Sequence, residues 1–483
     1  MDGGTERFAV FFRAARVLRR IGYWLALSLS AAILGVFAIN SFDERPSAEA
    51  VRLLRSPENH YKPDENIYLA LVGFDAPSGQ SVVDLGETRI EHYNSTVDSM
   101  LRDPLSGLEA PTTDPAGLKF TGSLECCRPR DPSFWGAVHT NGSKFKQLVE
   151  QNRELYERYL ALFERSGYYE TARPSPVMPM ILVPTEVRTL FLASVSWELQ
   201  TGDEGHMQAA LERLRQDTKL WQRVLNGQGG LLSKMIAIAF LQTDSIILSD
   251  MIADPNVTLP PNTREYLPDF ALDQWNISNA FAAEFRFHAF LYQQMQAISI
   301  SHWQPPESKD SAVQRVWYRI SSSIERQFFK LNATQNLDAR YMDEFAGFAA
   351  VDSATFANDH ARLKKWEQNN SDLLSVRTLY NPIGRILVLV AAPAYEGYVL
   401  RPYDTAAIQR LVRLGFEIRR EAIAPSAVAA FMKLHPEWST HPADGRPFVW
   451  DPSRDEITIQ PVAQHPPTAQ RRAIRIWKAS EGK

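Results

Sequence analysis

The stretch GLLSKMIAIAFLQTDSIILSDMI, residues 230–252, decides the fold class of this chain. Its apolar residues lie on nearly every side of a helix, which is typical of a helix surrounded by other parts of the protein. We therefore expect a central helix here. Gly227, Gly229 and Gly230 predict a turn that joins it to a preceding helix. A phosphate-binding loop is disfavoured, because such a loop follows a β-strand.

Helical periodicity extends to both sides of this segment. Apolar residues recur every three to four positions in 143–167, 185–201 and 203–226. Further helices are expected near 64–77, 273–298, 311–331, 336–350, 353–367, 372–379, 383–399, 404–420 and 425–434. The alternation of apolar and polar residues in RPFVWDPSRDEITIQP predicts a small β-hairpin within 445–460. The fold class is therefore mainly α, with a large irregular all-helical domain and a small C-terminal β-hairpin.

Two parts of this domain have a less regular pattern. Residues 78–142 contain many Gly, Pro, Ser and Thr residues and predict an irregular, loop-rich region with one short helix near 88–103. The helical pair at 185–225 is weakly tetratricopeptide-like, but no repeat of about 34 residues is found elsewhere. Irregular helical pairs are expected rather than a repeat array.

Residues 21–39 are uncharged and long enough to cross the hydrocarbon core of a bilayer. The preceding segment contains five arginines, which favour the cytoplasmic side, so the rest of the chain should be translocated. A cleaved signal peptide has a shorter apolar run and a small-x-small site directly after it. Residues 40–45 offer no such site, and Ala48-Glu49-Ala50 lies well beyond the apolar run. We therefore expect an uncleaved single-pass anchor in a bacterial inner membrane, with the N-terminus cytoplasmic and the main domain periplasmic.

This reasoning divides the chain into five parts. They are a cytoplasmic basic segment (1–20), a transmembrane anchor (21–39), a linker (40–63), a helical extracytoplasmic domain (64–464) and a flexible tail (465–483). The chain has 52 Lys and Arg against 56 Asp and Glu, a net charge of −4, which argues against a nucleic-acid partner. The membrane, through 21–39, and an envelope protein are the expected partners, and the oligomeric state is left open.

The two cysteines, Cys126 and Cys127, are adjacent. Neighbouring Cα atoms lie about 3.8 Å apart, which is shorter than the usual disulfide span. Three interpretations stay open: a strained vicinal disulfide, two reduced thiols, or links to another chain. Since the sequence contains no CxxC motif, it predicts neither a thioredoxin-type dithiol nor a cysteine zinc site, and we expect no cofactor.

The segment ISNAFAAEFRFHAFLYQQM, residues 277–295, contains the main candidate site. Glu284 and His288 are four residues apart, so they share one face of a mostly apolar helix. Apolar surroundings raise the pKa of a carboxyl group, as a general acid requires. The alternative is a buried polar pair that Arg286 or a neighbouring helix satisfies. The motifs HExxH, GxGxxG, GxSxG and Walker A are absent from the sequence.

Several segments resemble a group of uncharacterised proteobacterial proteins with one N-terminal anchor and a helical periplasmic body. They are ENIYLALVGFDAP (65–77), NRELYERYLAL (152–162), LNATQNLDARY (331–341) and 379–414. The phrase HPADGRPFVW (441–450) is similar to their terminal phrase, although His441 replaces an Asp. The resemblance implies a location and a fold, and it brings no activity or catalytic residues.

The leading functional prediction is a non-enzymatic, membrane-anchored binding or scaffold protein of the cell envelope. Its basis is the lack of a catalytic motif together with helical pairs, which commonly present concave binding surfaces. The alternative is an envelope hydrolase that acts on cell-wall or lipid substrates, with Glu284 as general acid and His288 beside it. The position of Glu284, in an open cleft or sealed in the core, distinguishes the two.

Overall fold

The computed structural model describes residues 3–102, 117–125, 128–129, 131–175, 184–301, 327–350, 352, 354–371, 376–391, 393–463 and 473–475. Its helices are α1 (Gly3–Ile39), α2 (Ala48–Leu54), α3 (Ile67–Val72), α4 (Val82–Arg102), α5 (Phe134–Thr140), α6 (Gly142–Gln151), α7 (Arg153–Ala161), α8 (Thr185–Thr201), α9 (Glu204–Asn226), α10 (Leu231–Ala253), α11 (Ser278–Ser301), α12 (Leu331–Phe348), α13 (Phe356–Ser371), α14 (Pro382–Ala391), α15 (Pro393–Arg420), α16 (Val428–Leu434) and α17 (Pro436–Ser439). The strands are β1 (Val449–Asp451), β2 (Glu456–Thr458) and β3 (Ala473–Arg475).

Helix α10 is the central helix that its apolar sequence predicts. It packs against α8, α9, α11 and α15, and residues from all of its sides are buried. Leu241, Ile247 and Met251 have no exposed surface and belong to the large hydrophobic core. Because its polar residues are buried too, α10 brings charged groups into the interior.

Three helical segments are long and apolar enough to cross a membrane, namely Arg19–Ile39, Leu231–Ala253 and Pro382–Arg420. The most apolar window of Arg19–Ile39, in α1, is 0% buried against the rest of the protein, whereas that of α10 is 67% buried. Burial within the protein explains the apolar composition of α10. The exposed apolar surface of α1 is compatible with a membrane anchor.

The helix expected over 143–167 is divided into α6 and α7 at Asn152. The buried side chain of Asn152 accepts a hydrogen bond from the backbone N–H of Thr121 (2.7 Å) and donates one to its carbonyl (2.8 Å). This pairing with a distant segment of the chain accompanies the break. The single-helix prediction was therefore wrong at this position.

Residues 78–142 contain more regular structure than expected. Instead of a short helix near 88–103, α4 covers 21 residues and buries Val83, Ile90, Tyr93 and Val97. It lies close to α3, since a Cβ atom on Gly86 would be only 2.1 Å from the carbonyl oxygen of Leu69. Gly86 is thus the residue that permits this packing. Residues 103–116 of this region lie outside the described residues.

The expected linker, 40–63, is attached to the body over much of its length. It includes α2, whose Ala50 and Leu53 are buried and which packs against α11 and α12. At the end of α1, Asn40 donates to the carbonyl of Leu379 (2.6 Å) and accepts from the backbone N–H of Asn381 (2.8 Å). These hydrogen bonds join the apolar N-terminal helix directly to the helical body.

The C-terminal elements follow the prediction with one exception. Strands β1 and β2 pair antiparallel, with Trp450 opposite Ile457, and β3 pairs with β2 on its other side. Helix α14 is described to Ala391 and α15 from Pro393, and the residue between them lies outside the described residues. The expected gap between 399 and 404 is absent: α15 continues through Pro402, with Leu400 and Tyr403 packed in the core on either side.

Candidate functional site

A cavity of about 720 Å³ lies where α10, α11 and α15 meet the segment 169–174. This volume is in the range of small-molecule sites. The wall is largely aromatic and aliphatic, with contributions from Tyr68, Tyr169, Met235, Phe287 and Tyr398. Its charged side chains are those of Glu170, Arg173, Glu284, Arg286 and Arg401, and the Tyr395 hydroxyl also lines it.

The N-terminus of α10 forms one edge of the cavity, and two carboxylates bind to it. The backbone N–H of Gly230 donates to Glu170 Oε2 (2.9 Å), and that of Leu231 donates to Glu284 Oε1 (2.8 Å). A Cβ atom on Gly230 would lie 3.5 Å from Glu284 and 3.7 Å from Glu170. The two carboxylates therefore flank Gly230, and they satisfy backbone donors that a helix leaves free at its first turn.

The turn predicted for 227–230 is confirmed. Gly227 follows the last residue of α9, and Gly230 directly precedes α10. At Gly229, a Cβ atom would approach Glu170 Oε1 to 2.7 Å, so a side chain would collide with that carboxylate. The glycines make room for Glu170 rather than for a phosphate.

Glu170 is held by three donors. Besides the amide of Gly230, the hydroxyl of Tyr168 donates to Oε1 (2.7 Å), and the hydroxyl of Ser233 donates to the same oxygen. The backbone N–H of Glu170 also donates to the carbonyl of Gln228 (2.8 Å). These contacts fix the carboxylate at the cavity wall. Sequence reasoning did not identify Glu170, because its segment has no motif or periodicity that marks it.

The Glu284 side chain is half-buried and lines the cavity, so the core does not seal it. Burial raises its pKa above the ordinary value of 4.5, and the nearby charge of Glu170 adds to this effect. The hydrogen bond from Leu231 and the charge of His288 act in the opposite direction but do not cancel the rise. Glu284 thus retains a proton to higher pH than an ordinary glutamate does.

Glu284 and His288 are connected through a third residue. Tyr395 is hydrogen-bonded to Glu284, and its hydroxyl lies 3.0 Å from His288 Nε2. On the other side of the ring, His288 Nδ1 lies 3.0 Å from Asp338 Oδ2. These four side chains, Glu284, Tyr395, His288 and Asp338, therefore form a chain of contacts that runs from the cavity into the core. The hydrogen-bond partners of the Glu284–His288 pair come from neighbouring helices, and Arg286 is not one of them.

The protonation of this chain follows from its burial. Burial lowers the pKa of His288, but the hydrogen bond and the charge of Asp338 outweigh this effect, so that the net shift is upward. Burial also raises the pKa of the Tyr395 hydroxyl, which stays protonated at neutral pH. Since a tyrosine hydroxyl both donates and accepts, Tyr395 can pass a proton between the imidazole and the carboxyl group.

Two arginines line the same cavity without a carboxylate partner among the described residues. The Arg286 guanidinium reaches only the carbonyls of Leu53 (3.3 Å) and Arg55 (3.4 Å). The Arg401 guanidinium lies over the ring of Tyr398, 4.6 Å from its centre. A third arginine, Arg173, forms an ion pair with Asp98.

Other predicted features lie elsewhere. Cys126 and Cys127 are outside the described residues, as is most of the helix expected at 311–331. His441, which replaces the Asp of the terminal phrase, is buried and lies 3.2 Å from Asp404. In the part of the chain with described coordinates, no group of three or more His, Cys, Asp or Glu side chains is arranged to hold a metal ion.

No protein-family model, curated protein or solved structure matches this chain. Only the geometry of the cavity therefore indicates a function.

Proposed function

We propose that this protein is a membrane-anchored hydrolase of the bacterial cell envelope that acts on a cell-wall or lipid substrate in the cavity between α10, α11 and α15. The observation that carries the proposal is the position of Glu284. This carboxyl group lines the cavity, has a raised pKa, and is connected to the buried His288–Asp338 pair through Tyr395. A carboxyl group with a raised pKa beside a substrate site has the properties of a general acid.

Glu170, the second carboxylate of the cavity, acts as the general base. As the scissile C–O bond breaks, Glu284 donates its proton to the leaving oxygen. Glu170, on the other side of Gly230, accepts a proton from the water whose oxygen bonds to the substrate carbon. One water is consumed and two products with hydroxyl or carboxyl ends are released. Glu170 then releases the proton that it accepted to water in the cavity, and Glu284 takes up a proton from that water, so that both side chains return to their starting states.

The membrane topology forms part of the same proposal. The arginines before residue 21 favour the cytoplasmic side, and the other end of α1 is hydrogen-bonded to the body through Asn40. This arrangement supports a body, and with it a cavity, on the side of the membrane away from the cytoplasm. Membership in the group of proteobacterial single-anchor proteins, the tetratricopeptide-like pair and an envelope protein partner stay predictions.

A binding protein without catalysis is the second candidate. Both cavity carboxylates accept hydrogen bonds from backbone N–H groups at the start of α10, which hold the polar groups of the site in fixed positions. A rigid polar site of this kind suits ligand capture as well as turnover. This candidate preserves the binding role predicted from the sequence and transfers it to the cavity.

A single substitution distinguishes the two candidates. The full-length protein in detergent is incubated with muropeptides and lipid-linked glycan fragments, and products are followed by mass spectrometry. Glu284→Gln keeps the shape of the side chain but removes the proton donor, so hydrolysis should fall by about 10²- to 10⁴-fold. The matched control is Glu58→Gln, at an exposed glutamate outside the cavity wall, which should leave the rate unchanged. A substrate that binds to both proteins and is cleaved by neither would favour the binding role.

A further inference from the structure

We propose that Arg286 and Arg401 form an anion subsite in this cavity, and that the ligand carries a carboxylate or phosphate group. The inference deepens the proposed function and rests on it for the identity of the cavity as the substrate site. It has its own basis in two guanidinium groups that line the cavity wall.

The first guanidinium has unused hydrogen-bonding capacity. Arg286 is on α11 with Glu284, and its side chain is half-buried. Its contacts with the carbonyls of Leu53 and Arg55 are long, at 3.3 and 3.4 Å, and both come from one nitrogen. A guanidinium has five N–H donors. Most of those of Arg286 therefore remain available to a ligand in the cavity.

The second guanidinium is positioned by an aromatic ring. Tyr395, Tyr398 and Arg401 follow one another along α15 at intervals of about one turn, and all three line the cavity. Arg401 is half-buried, and its contact with the ring of Tyr398 leaves its N–H donors without a protein acceptor among the described residues. Stacking of this kind orients the planar fork for a bidentate contact with an oxyanion.

The carboxylates of the cavity do not use these positive charges in direct ion pairs. Glu170 and Glu284 are held by backbone amides and by the Tyr168, Ser233 and Tyr395 side chains. Arg173 is already paired with Asp98. Because charge-assisted hydrogen bonds are stronger where water is partly excluded, Arg286 and Arg401 favour a ligand with a negative charge. A neutral glycan would leave both unused.

The test measures binding rather than turnover. Full-length protein in phosphatidylcholine nanodiscs is titrated by calorimetry with glucose 6-phosphate and glucuronate, with glucose as the neutral counterpart. We expect the two anionic sugars to bind more tightly than glucose, and added salt to weaken their binding. Arg401→Gln and Arg286→Gln should each weaken it by about tenfold, the effect of one charge-assisted hydrogen-bonding group. Arg401→Lys, which keeps the charge, should retain part of the affinity.

The matched control is Arg153→Gln, at an exposed arginine paired with Glu150 on the surface, which should bind the anions as the unmodified protein does. Thermal melting of each variant shows that it is folded. Equal binding of glucose and of the anionic sugars, or unchanged anion binding in both cavity variants, would overturn the subsite.

A further arm distinguishes a lipid headgroup from a soluble anion. Nanodiscs that contain phosphatidylglycerol should compete with glucose 6-phosphate if the natural anion is a lipid phosphate, and should not compete if it is soluble; both results support the subsite.

The subsite and the hydrolase proposal can fail independently of each other. Anion binding lost in the arginine variants, with no substrate cleaved, would keep the subsite and remove the hydrolase. If a neutral substrate is cleaved, Glu284 is required for the cleavage and no anion binds, the hydrolase proposal would be kept and the subsite removed.

Discussion

Two polar clusters contact helix α10, and they differ in their access to the cavity. We call Arg188, Asp217 and Asp244 the ion cluster; their side chains are between 0% and 3% exposed. The cavity cluster, made of Glu170, Glu284, Tyr395, His288 and Asp338, begins at the cavity wall and runs inward. Both contain carboxylates with raised pKa values, so perturbed titration by itself does not separate a structural cluster from a functional one.

The difference lies in where the hydrogen bonds end. In the ion cluster, Arg188 donates to Asp217 (2.7 Å) and to Asp244, and the remaining carboxylate oxygens accept bonds from Tyr159 and Thr218. Every partner is another part of the protein. In the cavity cluster, Glu284 lies at the surface of a space large enough for a ligand. A cluster that is complete within the protein stabilises the fold, whereas one that ends at a cavity can act on what enters it.

The strongest test of this comparison removes the cation of the ion cluster. Arg188→Met leaves two carboxylates in the core without their partner, so the free energy of unfolding should fall by about 3–5 kcal/mol. Urea unfolding of the full-length protein in detergent, followed by tryptophan fluorescence, measures the change. The control is Arg153→Met, where an exposed ion pair with Glu150 should contribute nothing measurable. A stability equal to that of the control would show that the ion cluster does not stabilise the fold.

The sequence predicts the helices that carry the two clusters better than it predicts which residues belong to each cluster. The apolar pattern of 230–252 identifies α10 as the central helix, and the apolar setting of Glu284 marks it as a candidate acid. Asp338 and Tyr395 join Glu284 only because α11 packs against α12 and α15 passes beside them. Glu170 comes from a segment without periodicity. Such proximity arises from tertiary packing, which local spacing does not encode.

The break at Asn152 illustrates the same limit within secondary structure. The apolar stripe of 143–167 is continuous, and an Asn within it is tolerated by a helix. The competing interaction is with the backbone of Thr121, in a different part of the chain. Where a side chain hydrogen-bonds to a distant backbone segment as well as to its own helix, tertiary structure overrides the periodic signal.

A smaller effect is expected from the His288–Asp338 pair. The pKa of His288 is raised above its ordinary value of 6.5, so the native state binds more protons than the unfolded state just above that pH. The stabilisation is complete below pH 6.5 and is lost as the pH rises through the pKa of the folded protein. The free energy of unfolding should therefore fall by about 1 kcal/mol over this interval, and Asp338→Asn should flatten the dependence.

Urea unfolding at a series of pH values checks this expectation. The control is His435→Gln, since His435 pairs with Glu437 at the surface and has no contact with the cavity cluster. That variant should keep the slope of the unmodified protein. If Asp338→Asn leaves the slope unchanged, Asp338 does not stabilise the protonated imidazole of His288.

The smallest change in stability, and one of opposite sign, is expected from Glu284→Gln. Because the pKa of Glu284 is raised, the folded protein favours its protonated form, and the stabilisation present below pH 4.5 is lost as the pH rises through the folded value. Glutamine resembles the protonated form and does not ionise. Near neutral pH the variant should thus be as stable as the unmodified protein, or more stable by up to about 1 kcal/mol, while hydrolysis is lost. Below about pH 4.5 the difference in stability should vanish, because both side chains are then neutral.

A fall of several kcal/mol in the free energy of unfolding of Glu284→Gln, comparable with that of Arg188→Met, would contradict this expectation. Glu284 would then belong with the structural carboxylates, and the distinction between the two clusters would be lost.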